Sequence, residues 1–137
     1  MSFETVANTI RSTFKTQIAD AQSISTGYDN APYDRPENTK HVLLSIVPGE
    51  SVQVSLGATK RFRHPGIMSA AILVPLEVGD KDALEVADFI DSAFRATTFT
   101  VSGQAVHFRT PAIQRVGRDG KWWRVNVNVP YYADTIG

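Results

Sequence analysis

His41, His64 and His107 are the side chains in this sequence best suited to general-base or metal-ligand chemistry, and their spacing argues against both roles. No two of them stand at i, i+4, and none neighbours a carboxylate in a ligand-like pattern. For His41 and His107 the plainer reading is a strand position at the border of a sheet. Gly57-Ala58-Thr59-Lys60 resembles a phosphate loop only superficially, because the Gly-x4-Gly-Lys-[Ser/Thr] pattern is absent. No serine lies in a Gly-x-Ser-x-Gly elbow. The chain has no cysteine, which excludes disulfides, zinc–thiolate sites and a cysteine nucleophile. Asp82, Glu85, Asp88 and Asp91 recur every three residues, but carboxylates strung along one helix do not readily close a cation's coordination shell. A solvated helix face is the expected role. These residues predict no enzyme, no metal and no cofactor.

Two groups point instead to recognition. Lys60, Arg61, Phe62, Arg63 and His64 form a basic run with an embedded aromatic, suited to an acidic protein surface or to phosphates. The bland alternative is a solvated loop or edge strand whose charges discourage aggregation. Trp122, Arg124, Asn126 and Asn128 alternate along the last strand, on the face opposite its apolar residues. Tryptophan and arginine are enriched at interfaces, so an exposed Trp122 would mark a partner. A Trp122 packed under a neighbouring loop would not.

The elements that must position these groups follow from periodicity. Phe3, Val6, Ala7, Ile10, Phe14 and Ile18 fall at steps of three and four, which predicts an amphipathic helix from Ser2 to about Ala19. Ser23–Tyr28 is a candidate short strand. Asp29–Thr39, with Pro32 and Pro36, reads as an irregular loop. His41–Val47 predicts a buried strand, and Val52, Val54 and Leu56 a half-buried one. Gly57–Gly66 is expected to be a hairpin arm or exposed loop, before Ile67–Leu76 resumes as a strand. Ala83, Ala87, Ile90 and Phe94 predict a second helix starting at Asp80. Two hairpins follow, turning at Ser102-Gly103-Gln104 and at Asp119-Gly120. In the final strand Trp123, Val125, Val127, Val129 and Tyr131 make the core face. Its register stays open, because a two-residue Asp-Gly loop would set Arg115 against Arg124. The order α-β-β-β-α-β-β-β-β predicts an α+β fold: a mainly antiparallel sheet with two helices packed on one face.

The chain has 137 residues, enough for one domain spanning 1–137. Fourteen basic residues balance fourteen acidic ones, giving zero formal charge. A dedicated nucleic-acid binder would carry a basic excess. Neutrality lowers self-repulsion and suits a protein that packs against protein. Met1-Ser2-Phe3-Glu4 lacks the basic start of a signal peptide, and Ile67–Leu76, interrupted by Ser69 and Pro75, is too short to cross a bilayer. The expectation is a soluble chain made inside the cell.

Several segments carry a resemblance. They are Gly27-Tyr28-Asp29-Asn30-Ala31-Pro32-Tyr33-Asp34-Arg35-Pro36, Leu44-Ser45-Ile46-Val47-Pro48-Gly49-Glu50-Ser51, the Ser55-Leu56-Gly57 turn, Arg63-His64-Pro65-Gly66, and Arg115-Val116-Gly117-Arg118-Asp119-Gly120-Lys121-Trp122-Trp123. Together they resemble the small tail-terminator proteins of long-tailed bacteriophages, over nearly the whole chain. The resemblance implies a structural virion protein: a homo-oligomeric ring, generally of six copies, that caps the head-proximal end of the tail tube. Such a ring stops elongation and presents a surface for head–tail joining. It implies as partners the tail tube protein and the head–tail connector or other neck proteins, no membrane, and DNA only as it passes through the lumen. It places the chain in the virion tail, and in the host cytoplasm during assembly.

Contact regions, by position in the element order, would be Gly57–Gly66, Asp29–Thr39 and the segment after Tyr131. With the residue reading above, this makes Lys60, Arg61, Phe62, Arg63, His64, Trp122, Arg124, Tyr131 and Tyr132 the expected interface. Alternatives are another phage neck protein (a tail-completion or head–tail connector protein) or a nucleic-acid-binding module using the basic run and the Trp122/Arg124 face.

Overall fold

In the computed structural model, residues 3–20, 24–28, 39–53, 57, 60–76, 81–101 and 104–136 are described. The elements are α1 (Phe3–Phe14), β1 (Ser25–Tyr28), β2 (His41–Pro48), β3 (Val52–Gln53), β4 (Arg61–Pro75), α2 (Lys81–Phe94), β5 (Thr98–Val101), β6 (Gln104–Phe108), β7 (Ala112–Asp119) and β8 (Trp122–Ile136). The strands form one sheet in the order β1-β2-β4-β8-β6-β5, with β3 added to β4 and β7 added to β8. All pairings are antiparallel except β1 with β2. The fold is α+β, as the periodicity implies.

Both helices lie over one face of the sheet. Val6, Ile10, Phe14 and Ile18 from the first helix, and Ala83, Val86, Ala87, Ile90 and Phe94 from α2, join Val42, Leu44, Met68, Ile72, Val125, Val127 and Val129 in a single core. Steps of four residues overshoot a 3.6-residue turn by about 40° each. After Phe14 the helix widens into a π-helical turn over Lys15–Ala19, which keeps Ile18 under the sheet with Ile10 and Phe14. Phe94 is the hub of an aromatic group, meeting Phe14, Phe99 and Phe108 at centroid distances of 6.1, 5.5 and 4.9 Å.

Two strands of 15 residues, β4 and β8, pair along their whole length and form the spine of the sheet. This corrects the expected arm at Gly57–Gly66. Arg61 to Gly66 are the first six residues of β4, held by β8 on one side and by β3 and the end of β2 on the other. Pro65 and Gly66 look like loop residues in sequence, yet each has a place. Pro65 lies between the end of the β2 pairing and the start of the β3 pairing, where its carbonyl accepts a 2.8 Å hydrogen bond from the Gly49 N–H. A missing donor costs nothing at such a junction.

Of the half-buried strand expected at Val52, Val54 and Leu56, only Val52 lies among the described residues, and it is exposed. Val52 and Gln53 pair with β4, and both are exposed; Val54, Ser55 and Leu56 lie outside the described residues, as do most of the Asp29–Thr39 loop and the Asp80 helix start. The last hairpin avoids the Arg115–Arg124 clash by the position of its loop. Its loop residues are Gly120 and Lys121, with Gly120 at φ 62°, as a type II′ turn requires at its first central position. That loop sets Gly117 opposite Arg124, and a bulge at Val116 beyond it brings Arg115 opposite Val125.

Candidate functional site

The three histidines do not converge. His41 pairs with Leu73 near one end of β4, while His64 lies nine residues away along the same strand, about 30 Å at the rise of a β-strand. His41 is fully buried; its Nδ1–H donates to the Thr39 carbonyl at 3.2 Å and its ring meets Trp122 edge-on at 4.7 Å. His64 Nδ1 lies 2.7 Å from Ser51 Oγ. His107 faces the side of the sheet away from the helices, beside Tyr132. Among the described residues no group of three or more His, Asp or Glu could hold a metal ion.

What the fold does assemble is a basic, aromatic cleft at the β6 end of the spine. Alternation puts Arg61, Arg63, Tyr132, Asp134 and His107 on the helix-free face. Arg63 makes a bidentate pair with Asp134 directly across the strands, Nε–Oδ1 2.9 Å and a second guanidinium contact of 3.1 Å. This hydrogen-bonded pair holds the Asp134 carboxyl below the usual aspartate range, with the charges of Arg61 and His107 acting in the same sense. The Arg63 guanidinium also lies 4.4 Å from the centroid of Tyr132, and the Arg109 guanidinium lies 4.9 Å from it. His107 stacks on the same ring at 4.8 Å and 22°, and Thr98 Oγ1 lies 2.8 Å from its Nδ1. Of these groups Thr98, His107, Arg109 and Tyr132 line an open cavity of about 640 Å³, together with Ala96 and Thr110.

The expected interface residues therefore divide. Lys60 and Arg61 are exposed, and Phe62, Arg63, His64, Arg124 and Tyr132 are partly exposed. Trp122 is only 5% exposed, packed on Ala71 and Leu73 against Leu43. Tyr131 is 2% exposed and lies in the main core. The condition under which Trp122 would mark a partner is not met, and neither residue offers surface. Arg124 is turned to its own hairpin, reaching Asp119 at 3.2 Å and Asn126 at 3.0 Å.

Sequence reasoning missed Arg109, Thr98 and the cleft role of His107. The signal was present: Val106 and Phe108 alternate with His107 and Arg109, which marks one apolar and one polar face in a short strand. It also missed apolar surface elsewhere. Val47 and Ile67 face each other across β2 and β4 at 55% and 42% exposure, with Pro130 beside Ile67 on β8. Strand β7 is exposed along most of its length, including Ile113 and Val116. Surface of this kind suits association better than catalysis.

A family model described as phage tail terminator protein matches residues 6–131. No curated protein matches the chain. A solved chain superposes with a TM-score of 0.72 at 18% identity, covering 93% of this chain and 94% of that one. At that identity the likeness speaks for the fold alone.

Proposed function

The chain belongs to the phage tail terminator family, and from that premise we propose that it closes into a homo-oligomeric ring capping the tail tube. Membership makes it a structural protein of the virion tail that interacts with other tail or neck components. The finer steps are the proposal: a ring, expected to hold six copies, stops tube elongation and presents the surface on which the head joins. The observation that carries this reading is the length of the match, which spans residues 6–131 of the 137. Charge and surface are consistent with it. The formal charge is zero, and the exposed apolar residues sit on strands rather than around a closed pocket.

Electron microscopy of the purified chain mixed with tail tubes of its phage tests the proposal. Rings at one tube end, with elongation arrested, are the expected result. Tubes that lengthen unchanged, with nothing at either end, would overturn it.

A further inference from the structure

The cleft between Ala96 and Tyr132 holds one guanidinium, that of Arg109, which no carboxylate among the described residues engages. The carboxylate of Asp134 is already engaged by Arg63, and the charge of Arg61 acts on it as well. Arg109 is exposed and makes no ion pair among the described residues; its guanidinium rests on Tyr132, which fixes its direction without consuming its charge. Thr98 and Thr110 add hydroxyls to the same wall. A planar guanidinium with free N–H groups and adjacent hydroxyls suits a carboxylate.

The chain also carries the complementary surface. Asp82, Glu85 and Asp88 are all exposed on α2, and among the described residues only Glu85 has a basic partner, Lys81 at a loose 3.8 Å. Helical rise places Asp82 about 20 Å and Asp88 about 12 Å from Ala96, and α2 packs on the face of the sheet opposite His107 and Tyr132, so the acidic stripe does not enter its own cleft. A neutral chain thus has a basic end and an acidic flank that cannot meet within one copy. Two such unlike surfaces join head to tail, and head-to-tail contacts close into rings when the rotation allows.

We propose that the cleft of Arg109, His107 and Tyr132 receives the Asp82/Glu85/Asp88 stripe of a second copy. This inference rests on the ring reading above and supplies its contact and polarity.

Self-association of the full chain, followed by sedimentation velocity at low salt over rising concentration, is the test. Arg109→Glu in one variant, and Glu85→Lys with Asp88→Lys in another, alter exposed positions only, and circular dichroism checks that each stays folded. Each alone should weaken association by about tenfold or more. An equimolar mixture should recover it, because the intact cleft of one variant meets the intact stripe of the other and the altered surfaces are again opposite in sign. Arg109→Gln, should Arg109→Glu not fold, is expected to lose affinity in the same direction.

Variants that associate like the parent, or a mixture that fails to recover, would overturn the contact. So would a parent chain monomeric up to about 1 mM, the weak limit of specific association. Binding of a labelled DNA duplex that is lost in Arg109→Glu and displaces the second copy would reassign the cleft to phosphates, and also overturns it. Tube capping reads the terminator function independently: capping by a chain whose contact has failed this test leaves the ring reading in place with its interface elsewhere.

Discussion

Gly66 and Tyr131 stand directly opposite each other between β4 and β8, and the Tyr131 ring fills the space that a side chain at position 66 would need. A Cβ there would come within 2.5 Å of Tyr131 Cζ and 2.8 Å of Cε2. Tyr131 is itself buried, so it has little room to give way. Gly66→Ala is therefore expected to destabilise the fold by about 1–3 kcal/mol, the usual cost of overpacking. Urea denaturation of the two proteins measures it, and an unchanged midpoint would show that the ring moves freely.

Trp122 offers a test of facing. Its burial against Leu73 and Ala71, edge-on to His41, predicts that Trp122→Ala costs about 3–5 kcal/mol. A loss below about 1 kcal/mol would return Trp122 to the exposed face.

Ala96 follows α2 with φ at 48°, a left-handed conformation that disfavours a Cβ. Glycine fits this helix-ending position better. Ala96→Gly should raise stability by about 1 kcal/mol, read as a higher denaturation midpoint, whereas a lower midpoint would mean the methyl group packs usefully in the cleft wall.

The Arg63–Asp134 pair sets a pH dependence. Because the folded carboxyl is held below its ordinary value of 3.8, mainly by its hydrogen bond to Arg63, the pair's contribution is complete above that value. It fades as pH falls below 3.8 and is lost as the carboxyl protonates in the folded chain. The stability gap between the parent and Asp134→Asn should therefore be constant from pH 5 to 7 and narrow below about pH 4. A gap that persists at pH 2 would show that Asp134 acts through something other than its charge.

Much of the fold was legible because strand and helix periods are local. The steps of three and four in α1 and α2, and the Val125-Val127-Val129 alternation in β8, depend only on the geometry of their own segments. The Asp-Gly turn signal was equally local, but the bulge at Val116 was not, since it lies in the pairing of two strands. Lys60 to Gly66 was misread for the same reason. Its charges, proline and glycine are loop signals until β8 and Tyr131 are set beside them.

Recognition residues followed the same division. By itself the sequence determined one neutral domain, two amphipathic helices, a mainly antiparallel sheet and the absence of any cysteine chemistry or nucleotide-loop motif. The tertiary structure alone decided that Trp122 and Tyr131 are interior, and that Thr98, His107, Arg109 and Tyr132 share one cleft. Alternation tells which residues of a strand lie on the same side. Which strands are neighbours, and whether a second face is covered, depends on pairings between distant segments, and no local period encodes those.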